Sequence, residues 1–195
     1  MTIFSYIYNY MDYTAHYQSP LGGITLASDG DAIVGIWFDG QKFFAETLEE
    51  EHQEKDLPVF QDAFRWLDLY FSGEIPDFTL PLNLRGTYFR RQVWQALLTI
   101  PYGQMVTYGD LAKRIAIQRG VAHMSSRAIG GAVGHNPIGI VIPCHRVVGS
   151  DDTLTGYAAG LKKKTKLLEL EGTSSGVWKK YKTRKKTKRK RPSSI

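Results

Sequence analysis

Residues 87–115 read TYFRRQVWQALLTIPYGQMVTYGDLAKRI, a segment with two strong helix starts. Thr87 is a favourable N-cap for a helix over Tyr88–Leu98, which the following Pro-Tyr-Gly ends. Thr107 can cap a second helix, with Asp110 three residues later as an imperfect capping box. Because apolar residues recur at three- and four-residue steps in both segments, each helix should bury one side. This part of the chain is predicted to be helical.

A third helix is predicted to begin at Ser125 or Ser126 and to include Val133. The connector before it, Ile117–Met124, is longer than the three or four residues usual in a helix-turn-helix. Four residues of this helix are small: Ala128, Gly130, Gly131 and Ala132. Such a helix either approaches another surface closely, as in a groove, or packs tightly on a neighbouring helix, and the sequence leaves both open.

The preceding part of the chain predicts a small α/β unit. Ile24–Ala27 and Ala32–Phe38 are typical of two strands joined by a turn. Apolar residues at helical spacing follow Pro58 and stop near Gly73, which predicts an amphipathic helix. Phe78–Leu84 then predicts an extended connector. This unit shows no cluster of residues suited to catalysis, and its aromatic stripe is interpreted as core.

Charge divides the chain into three predicted units. Residues 1–82 hold 14 acidic and 3 basic residues, residues 83–172 hold 5 and 12, and residues 173–195 hold none and 10. The acidic unit is unsuited to binding a polyanion, whereas the middle unit can bind one. The basic tail is expected to be disordered in isolation. It either strengthens DNA association, serves as a nuclear address or is only solvated.

One cysteine, Cys144, occurs in the 195 residues. A single cysteine cannot form an intramolecular disulfide, and no segment is typical of a signal peptide or membrane span, so we expect a soluble protein of the cytoplasm, or of the nucleus in a eukaryote. The first ten residues are expected to contribute little to the fold.

Cys144 precedes His145 and Arg146, neighbours that can lower a thiol pKa from about 8.5 toward 7. The residue is either a nucleophile or a buried structural cysteine. The two side chains can cooperate only if the backbone turns after Pro143, since adjacent residues of a strand point to opposite faces. The scattered histidines show no metal-ligand spacing, so no metal is expected.

Six motifs occur in order along the chain: GTYFRRQVW, IPYGQMVTYGDLA, SSRAIGGAVGHNP, IPCHRVVG, TGYAAGLKKK and LLELEG. From about His16 to Gly172 the chain resembles the O6-alkylguanine-DNA alkyltransferases, also called methylated-DNA–protein-cysteine methyltransferases. The resemblance implies an N-terminal α/β domain and a mostly helical C-terminal domain with a helix-turn-helix of winged-helix type. It also implies direct repair of O6-alkylguanine in double-stranded DNA. No cofactor is expected, and we expect a monomer because nothing in the sequence demands more.

The resemblance assigns catalytic roles to five residues. Cys144 would accept the alkyl group, His145 would act as its base through a bound water, and Glu171 would orient His145. Asn136 would hold the active-site turn by hydrogen bonds. Tyr108 would donate its phenolic proton to the departing guanine, a task the chemistry requires because the leaving purine must be protonated.

The same resemblance assigns residues to DNA and to the pocket. Arg127 would fill the gap left when the damaged base rotates out of the stack, which offsets part of a cost of a few kcal/mol. Tyr108 would also lie against the flipped nucleotide's phosphate. The other expected DNA-binding residues are Arg90, Ala128, Gly130 and Gly131. The expected pocket residues are Val147, Val148, Tyr157, Ala158 and Ala159.

These assignments predict a protein that reacts once, because the thioether product is stable and the chain has no second thiol to remove the alkyl group. Ala159 stands where the family often has glycine, so methyl should be accepted more readily than benzyl. The resemblance leaves open whether O4-alkylthymine is also a substrate. Two alternatives remain: a related protein that binds lesions without transfer, and a Cys-His-Glu hydrolase with many turnovers.

Overall fold

The computed structural model describes residues 11–150 and 153–173. Its N-terminal part contains a four-stranded sheet, ordered β3-β2-β1-β4. The strands are β1 (Asp12–Ser19), β2 (Gly22–Ser28), β3 (Ile33–Phe38) and β4 (His52–Glu54). Neighbouring pairs are antiparallel except β1 and β4, which are parallel. The two predicted strands are β2 and β3, while β1 and β4 were missed.

The missed strands lack the signal that marks β2 and β3. β1 mixes aromatic, charged and polar residues, and β4 is three exposed residues long. The predicted helix is α1 (Pro58–Phe71), with proline at its first position. Its apolar side is buried through Val59, Phe60, Ala63, Leu67 and Tyr70. The predicted α/β unit is thus confirmed as a sheet plus one helix.

The C-terminal part is mostly helical, as predicted. Its helices are α2 (Tyr88–Leu98), α3 (Tyr108–Gln118), α4 (Ser126–Gly134) and α5 (Leu161–Leu170). Two short parallel strands, β5 (Val106–Thr107) and β6 (Val147–Val148), pair beside a 3-10 turn over Cys144–Arg146. The side chains of Thr87, Thr107 and Ser125 cap α2, α3 and α4 as predicted, each accepting a backbone N–H. The winged-helix type stays a prediction.

The edge strand β3 joins the two parts. The Ile36 amide donates to the Pro137 carbonyl and the Gly139 amide donates to the Ile36 carbonyl, both at 2.9 Å. At the other end of β3, Ile33 is bridged to Leu82 of the connector. Apolar residues of both parts form one continuous core. The loop that precedes Cys144 is therefore anchored on the N-terminal sheet.

The predictions about the two ends of the chain concern residues that the structure mostly does not describe. Residues 1–10 and 174–195 lie outside the described residues, and of the predicted tail only Thr173 is described. Thr173 was assigned to the tail, but it is buried, and its amide donates to the Leu168 carbonyl at 3.0 Å. Within residues 11–150 and 153–173, no helix is long and apolar enough to cross a membrane.

A buried ion pair connects the start of the C-terminal part to β1. Asp12 is fully buried, and Arg85 binds it with two hydrogen bonds of 2.6 and 2.8 Å.

Arg85→Ala would leave this carboxylate buried without its cation, so we expect a loss of about 3–5 kcal/mol in the free energy of unfolding. Urea denaturation measures this loss. Arg91→Ala, on an exposed arginine of α2, is the matched control and should change stability by less than about 0.5 kcal/mol. Equal losses in both variants would contradict the assignment.

Candidate active site

Cys144 lies at the start of a backbone turn. Such a turn was the condition predicted for the side chains of Cys144 and His145 to cooperate. Pro143 has φ −81° and ψ 60°, and the 3-10 turn begins at the next residue. The Asn136 side-chain amide donates to the Ile142 carbonyl at 2.8 Å and to Cys144 Sγ at 3.2 Å, and its oxygen accepts from the Ile138 amide at 3.1 Å. Asn136 thereby connects the helix α4 end, the turn and the sulfur atom.

His145, the residue after Cys144, forms a buried pair with Glu171. Nε2 of His145 lies 2.7 Å from Oε1 of Glu171, and both side chains are fully inaccessible to solvent. Nδ1 of His145 is buried and has no hydrogen-bond partner among the described residues. Since the carboxylate accepts a proton donor at Nε2, Nδ1 is left as the free basic nitrogen.

Glu171 accepts five hydrogen bonds from the described residues. Arg146 donates Nε and Nη2 to its two oxygens, each at 2.9 Å. The Gly103 amide donates at 3.1 Å and the Tyr70 hydroxyl at 2.8 Å. Burial of the carboxyl would raise its pKa, but the hydrogen bonds and charge of its partners lower the pKa to about 2. The hydrogen bond from His145 and the hydrogen bonds and charge of Arg146 cause this lowering.

The structure corrects one prediction about the thiol. Burial raises the pKa of Cys144, although the Asn136 hydrogen bond and the charge of Lys164 act in the opposite direction. Burial also lowers the pKa of His145, and Arg146 faces Glu171. Neither sequence neighbour therefore supplies a cation to the resting thiol. The resting thiol of Cys144 is therefore protonated near neutral pH.

A cavity of about 210 Å³ opens beside Cys144. It is lined by residues of both parts of the chain: Lys42, Phe43, Tyr108, Gly130, Val133, Gly134, Cys144, Gly156, Tyr157 and Ala158. Burial, followed by the nearby Cys144, raises the pKa of Tyr108 to about 12. Tyr108 thus stays protonated, and it is one wall of the cavity that holds the sulfur.

Three predicted pocket residues lie outside this cavity. Val147 and Val148 are fully buried in β6, and Val148 packs in a small cluster with Leu154 and Leu168. Ala159 packs against the main core and does not line the cavity. The preference for methyl over benzyl that was predicted from Ala159 stays a prediction. The other two predicted pocket residues, Tyr157 and Ala158, do line it.

The predicted DNA-binding residues lie mainly on α4. Arg127, Ala128 and Gly131 are exposed, while Gly130 lines the cavity together with Tyr108. Arg90 is half-buried near the start of α2. Helix α4 therefore has an exposed start, at Arg127 and Ala128, and a residue that lines the cavity, Gly130, within the same helical turn.

The N-terminal part contributes residues that the sequence interpretation missed. The Lys42 amide donates to the Ala158 carbonyl at 3.1 Å, and the Phe43 ring stacks on His135 with centroids 3.8 Å apart. Phe43 has φ +58°, a strained value for an aromatic residue. Two consecutive phenylalanines soon after the Asp39-Gly40 turn were the available signal in the sequence. The prediction that this part holds no cluster suited to catalysis did not anticipate that Lys42 and Phe43 line the cavity.

Lys164 was also missed. It is fully buried, and its ammonium donates to the carbonyls of Val147, Thr155 and Gly156. Burial lowers its pKa to about 8. One contact connects α5 to β6, and the other two connect it to the loop that lines the cavity. In the sequence Lys164 is the third of three lysines, and only the helix phase distinguishes it from the exposed Lys162 and the partly buried Lys163.

No group of three or more His, Cys, Asp or Glu side chains that could hold a metal occurs within residues 11–150 and 153–173. The site is instead a cysteine beside a buried His-Glu pair, at a cavity next to a helix of small residues. Together with the fold, this defines a protein with an α/β part and a helical part, in which a buried cysteine lines a cavity beside the exposed start of α4.

Comparisons with known proteins specify this class. The family described as 6-O-methylguanine DNA methyltransferase matches twice: its ribonuclease-like domain over residues 13–84 and its DNA binding domain over residues 88–173. The methylated-DNA–protein-cysteine methyltransferase of Haemophilus influenzae is 44% identical over 160 residues, which cover 82% of this chain and 86% of the relative. That of Mycobacterium tuberculosis is 43% identical over 161 residues, covering 80% and 92%.

Solved structures agree with the sequence matches. The crystal structure of Mycobacterium tuberculosis OGT in complex with DNA has a TM-score of 0.70 and 41% identity, covering 83% of this chain and 92% of that chain. The crystal structure of Mycobacterium tuberculosis O6-methylguanine methyltransferase has a TM-score of 0.67 at 40% identity, covering 83% and 93%. The chain belongs to the 6-O-methylguanine DNA methyltransferase family.

Proposed function

We propose that this protein repairs DNA by moving the alkyl group of O6-alkylguanine onto Cys144, in a reaction that consumes the protein. The observation that carries this proposal is the position of Cys144, in the wall of a cavity and beside the buried His145–Glu171 pair. Family membership supports the substrate class.

The transfer is a displacement at carbon. The Cys144 proton passes through a bound water to Nδ1 of His145, and the sulfur forms a bond to the alkyl carbon. The bond between that carbon and O6 of guanine breaks, and its electron pair stays with the purine. Tyr108 donates a proton to the purine and regains one from solvent. Guanine is restored, and the protein keeps a thioether.

A neutral thiol is a poor nucleophile, so the base is essential to this step. The raised pKa of Cys144 and the lowered pKa of His145 have one cause, the burial of both groups. Together they hold the pair neutral in the absence of substrate. Glu171 then stabilises the imidazolium formed when His145 takes the proton.

The target atom is stacked inside duplex DNA, so the base must leave the helix to reach Cys144. The small residues of α4 allow close approach to a groove, and its exposed Arg127 can occupy the gap. Arg90 is proposed to contact the backbone of the same DNA. Val147 and Val148 are proposed to support the pocket from behind.

Titration of the protein with DNA carrying one labelled O6-methylguanine tests this function. We expect one methyl group to move to each protein molecule, with guanine restored and no further turnover. A protein that only binds the lesion would leave the methyl group on DNA, and a hydrolase would turn over many times on an ester. Either outcome would contradict the proposal.

Arg127→Ala should slow the extrusion of the damaged base from the duplex and leave the alkyl-transfer step unchanged. We expect the rate of transfer from duplex DNA to fall about ten-fold, because stabilisation of the gap is worth about 1–2 kcal/mol. The rate with free O6-benzylguanine should not change, since a free base needs no extrusion. Single-turnover kinetics with both substrates measure this split. Lys166→Ala, on an exposed lysine of α5, is the control, and an equal loss on both substrates would contradict the role of Arg127.

The compartment and the assembly also remain proposals. A free thiol that must stay reduced favours the cytoplasm, or the nucleus in a eukaryote. The protein is proposed to act as a monomer, because one chain supplies every residue of the site. Contact of the basic tail with phosphates is proposed from its composition alone.

A further inference from the structure

Tyr70, in the last turn of α1, enters the active site from the N-terminal domain. It is fully buried, and its hydroxyl donates to Oε1 of Glu171 at 2.8 Å. The same hydroxyl oxygen lies 3.4 Å from Nε2 of His145. A residue interpreted as part of an aromatic core stripe therefore contacts both members of the buried pair.

Packing fixes the position of this hydroxyl. The Tyr70 ring stacks on Trp66 with centroids 5.6 Å apart and meets Tyr102 edge-on at 6.0 Å. It also meets the His145 ring edge-on at 6.4 Å. With neighbours on several sides, the ring has one available orientation, so its hydroxyl is held in place before substrate binds.

The hydrogen-bond chemistry then determines the tautomer of His145. The Tyr70 O–H is directed to Glu171, so the hydroxyl oxygen offers only lone pairs to Nε2 of His145. Oε1 of Glu171 offers lone pairs to the same nitrogen at 2.7 Å. Two acceptors therefore face Nε2, and a proton there satisfies both, which leaves Nδ1 unprotonated.

We propose that Tyr70 is a positioning residue for alkyl transfer: its hydroxyl holds the Glu171 carboxylate against Nε2 of His145 and weakens the attraction of that carboxylate for a second imidazole proton, so that His145 stays neutral and Nδ1 can accept the Cys144 proton. This inference rests on the proposed function of Cys144. It also gives the acidic N-terminal domain a part in the chemistry, because α1 places the Tyr70 hydroxyl against the buried His145–Glu171 pair.

Several ionisable groups surround His145. Lys164 acts on it from α5 and Glu171 from the end of that helix. Arg146 and Cys144 belong to its own turn, and Tyr70 contacts it from α1. Tyr157, in the cavity loop, acts on Cys144 and Glu171. Tyr70→Phe changes one of these and removes a single oxygen atom. Without that donor, Glu171 interacts more strongly with His145, which becomes easier to protonate. The acid limb of the pH–rate profile should therefore move to higher pH.

Tyr102→Phe is the matched control. Its hydroxyl belongs to the same aromatic cluster but donates to the Leu170 carbonyl at 3.1 Å, not to the carboxylate. We expect Tyr70→Phe to slow transfer about ten-fold near neutral pH and to move the acid limb, while Tyr102→Phe leaves the limb in place. A slower Tyr70→Phe with an unmoved limb would show a merely structural role and overturn the proposal.

Nitrogen NMR of His145 in the full chain gives a second readout that needs no transfer. We expect neutral His145 to carry its proton on Nε2 in both proteins, and to take up the second proton at higher pH in Tyr70→Phe than in the wild type. Identical pH titrations of His145 in both proteins would overturn the proposal. A wild type that transfers nothing would instead contradict the proposed function, and the NMR comparison would still test Tyr70.

Discussion

Cys144→Ser should abolish alkyl transfer, with a loss of at least about a thousand-fold in rate. A serine hydroxyl is similar in size and can accept the Asn136 hydrogen bond that reaches Sγ at 3.2 Å. Its free pKa is far above that of a thiol, and oxygen is much less polarisable than sulfur. The same His-Glu pair therefore cannot generate an effective nucleophile from it. Single-turnover kinetics with O6-methylguanine DNA measure the loss.

The serine variant should retain the fold and the affinity for lesion-containing DNA, because it keeps the cavity and the exposed start of α4. Fluorescence anisotropy with the same duplex is the control. A variant that binds normally and transfers nothing supports a chemical role for the sulfur. Transfer at a rate within ten-fold of the wild type would contradict it.

Glu171→Gln should damage both reactivity and stability. All five contacts of the carboxylate are hydrogen-bond donors, so an amide would place its own N–H groups against them. The buried Arg146 would also lose its counter-ion. We expect a loss of about 3–5 kcal/mol in the free energy of unfolding and about a hundred-fold in transfer rate. Urea denaturation and single-turnover kinetics measure the two losses.

Glu169→Gln, two residues earlier, is the matched control. Glu169 is partly exposed and pairs with Lys166 on the surface, so its loss should cost less than about 1 kcal/mol. If both glutamates gave the same losses, the buried network would not explain the effect of Glu171.

The pH dependence of stability gives a further signature of Glu171. Its pKa is about 2 in the folded protein against 4.5 as the ordinary value, so its stabilisation is present above pH 4.5 and is lost as pH falls toward 2. The wild type should therefore lose stability more steeply over this range than Glu171→Gln. Parallel curves would contradict the lowered pKa.

Local signals in the sequence predicted much of the fold. Caps at Thr87, Thr107 and Ser125 placed three helices, and apolar spacing after Pro58 placed α1. Each of these signals acts within a few residues of the element that it starts. Strand β1 carries no such signal, because its identity depends on pairing with β2 along seven residue pairs.

The site was predictable only where a motif marks it. Cys144, His145, Glu171 and Asn136 were named from motifs, and the structure brings the four together. Tyr70 lies 75 residues from His145 in sequence, and nothing local distinguishes it from the core residues of α1. Such contacts arise from packing between domains.

Sequence adjacency was misleading at one point. Arg146 follows the catalytic pair and was expected to act on the thiol, but the turn directs its guanidinium to Glu171 and to the Ile100 carbonyl. The cation that acts on the thiol is the buried Lys164. Side-chain direction in a 3-10 turn changes sharply from one residue to the next, so neighbours in sequence are not neighbours in space.

Peptide mass spectrometry after reaction with one equivalent of O6-methylguanine DNA examines the sulfur itself. We predict a single added methyl group, located on Cys144, in proportion to the guanine restored in the duplex. Loss of the lesion with Cys144 unmodified, or with the methyl group on another residue, would contradict direct transfer to this cysteine.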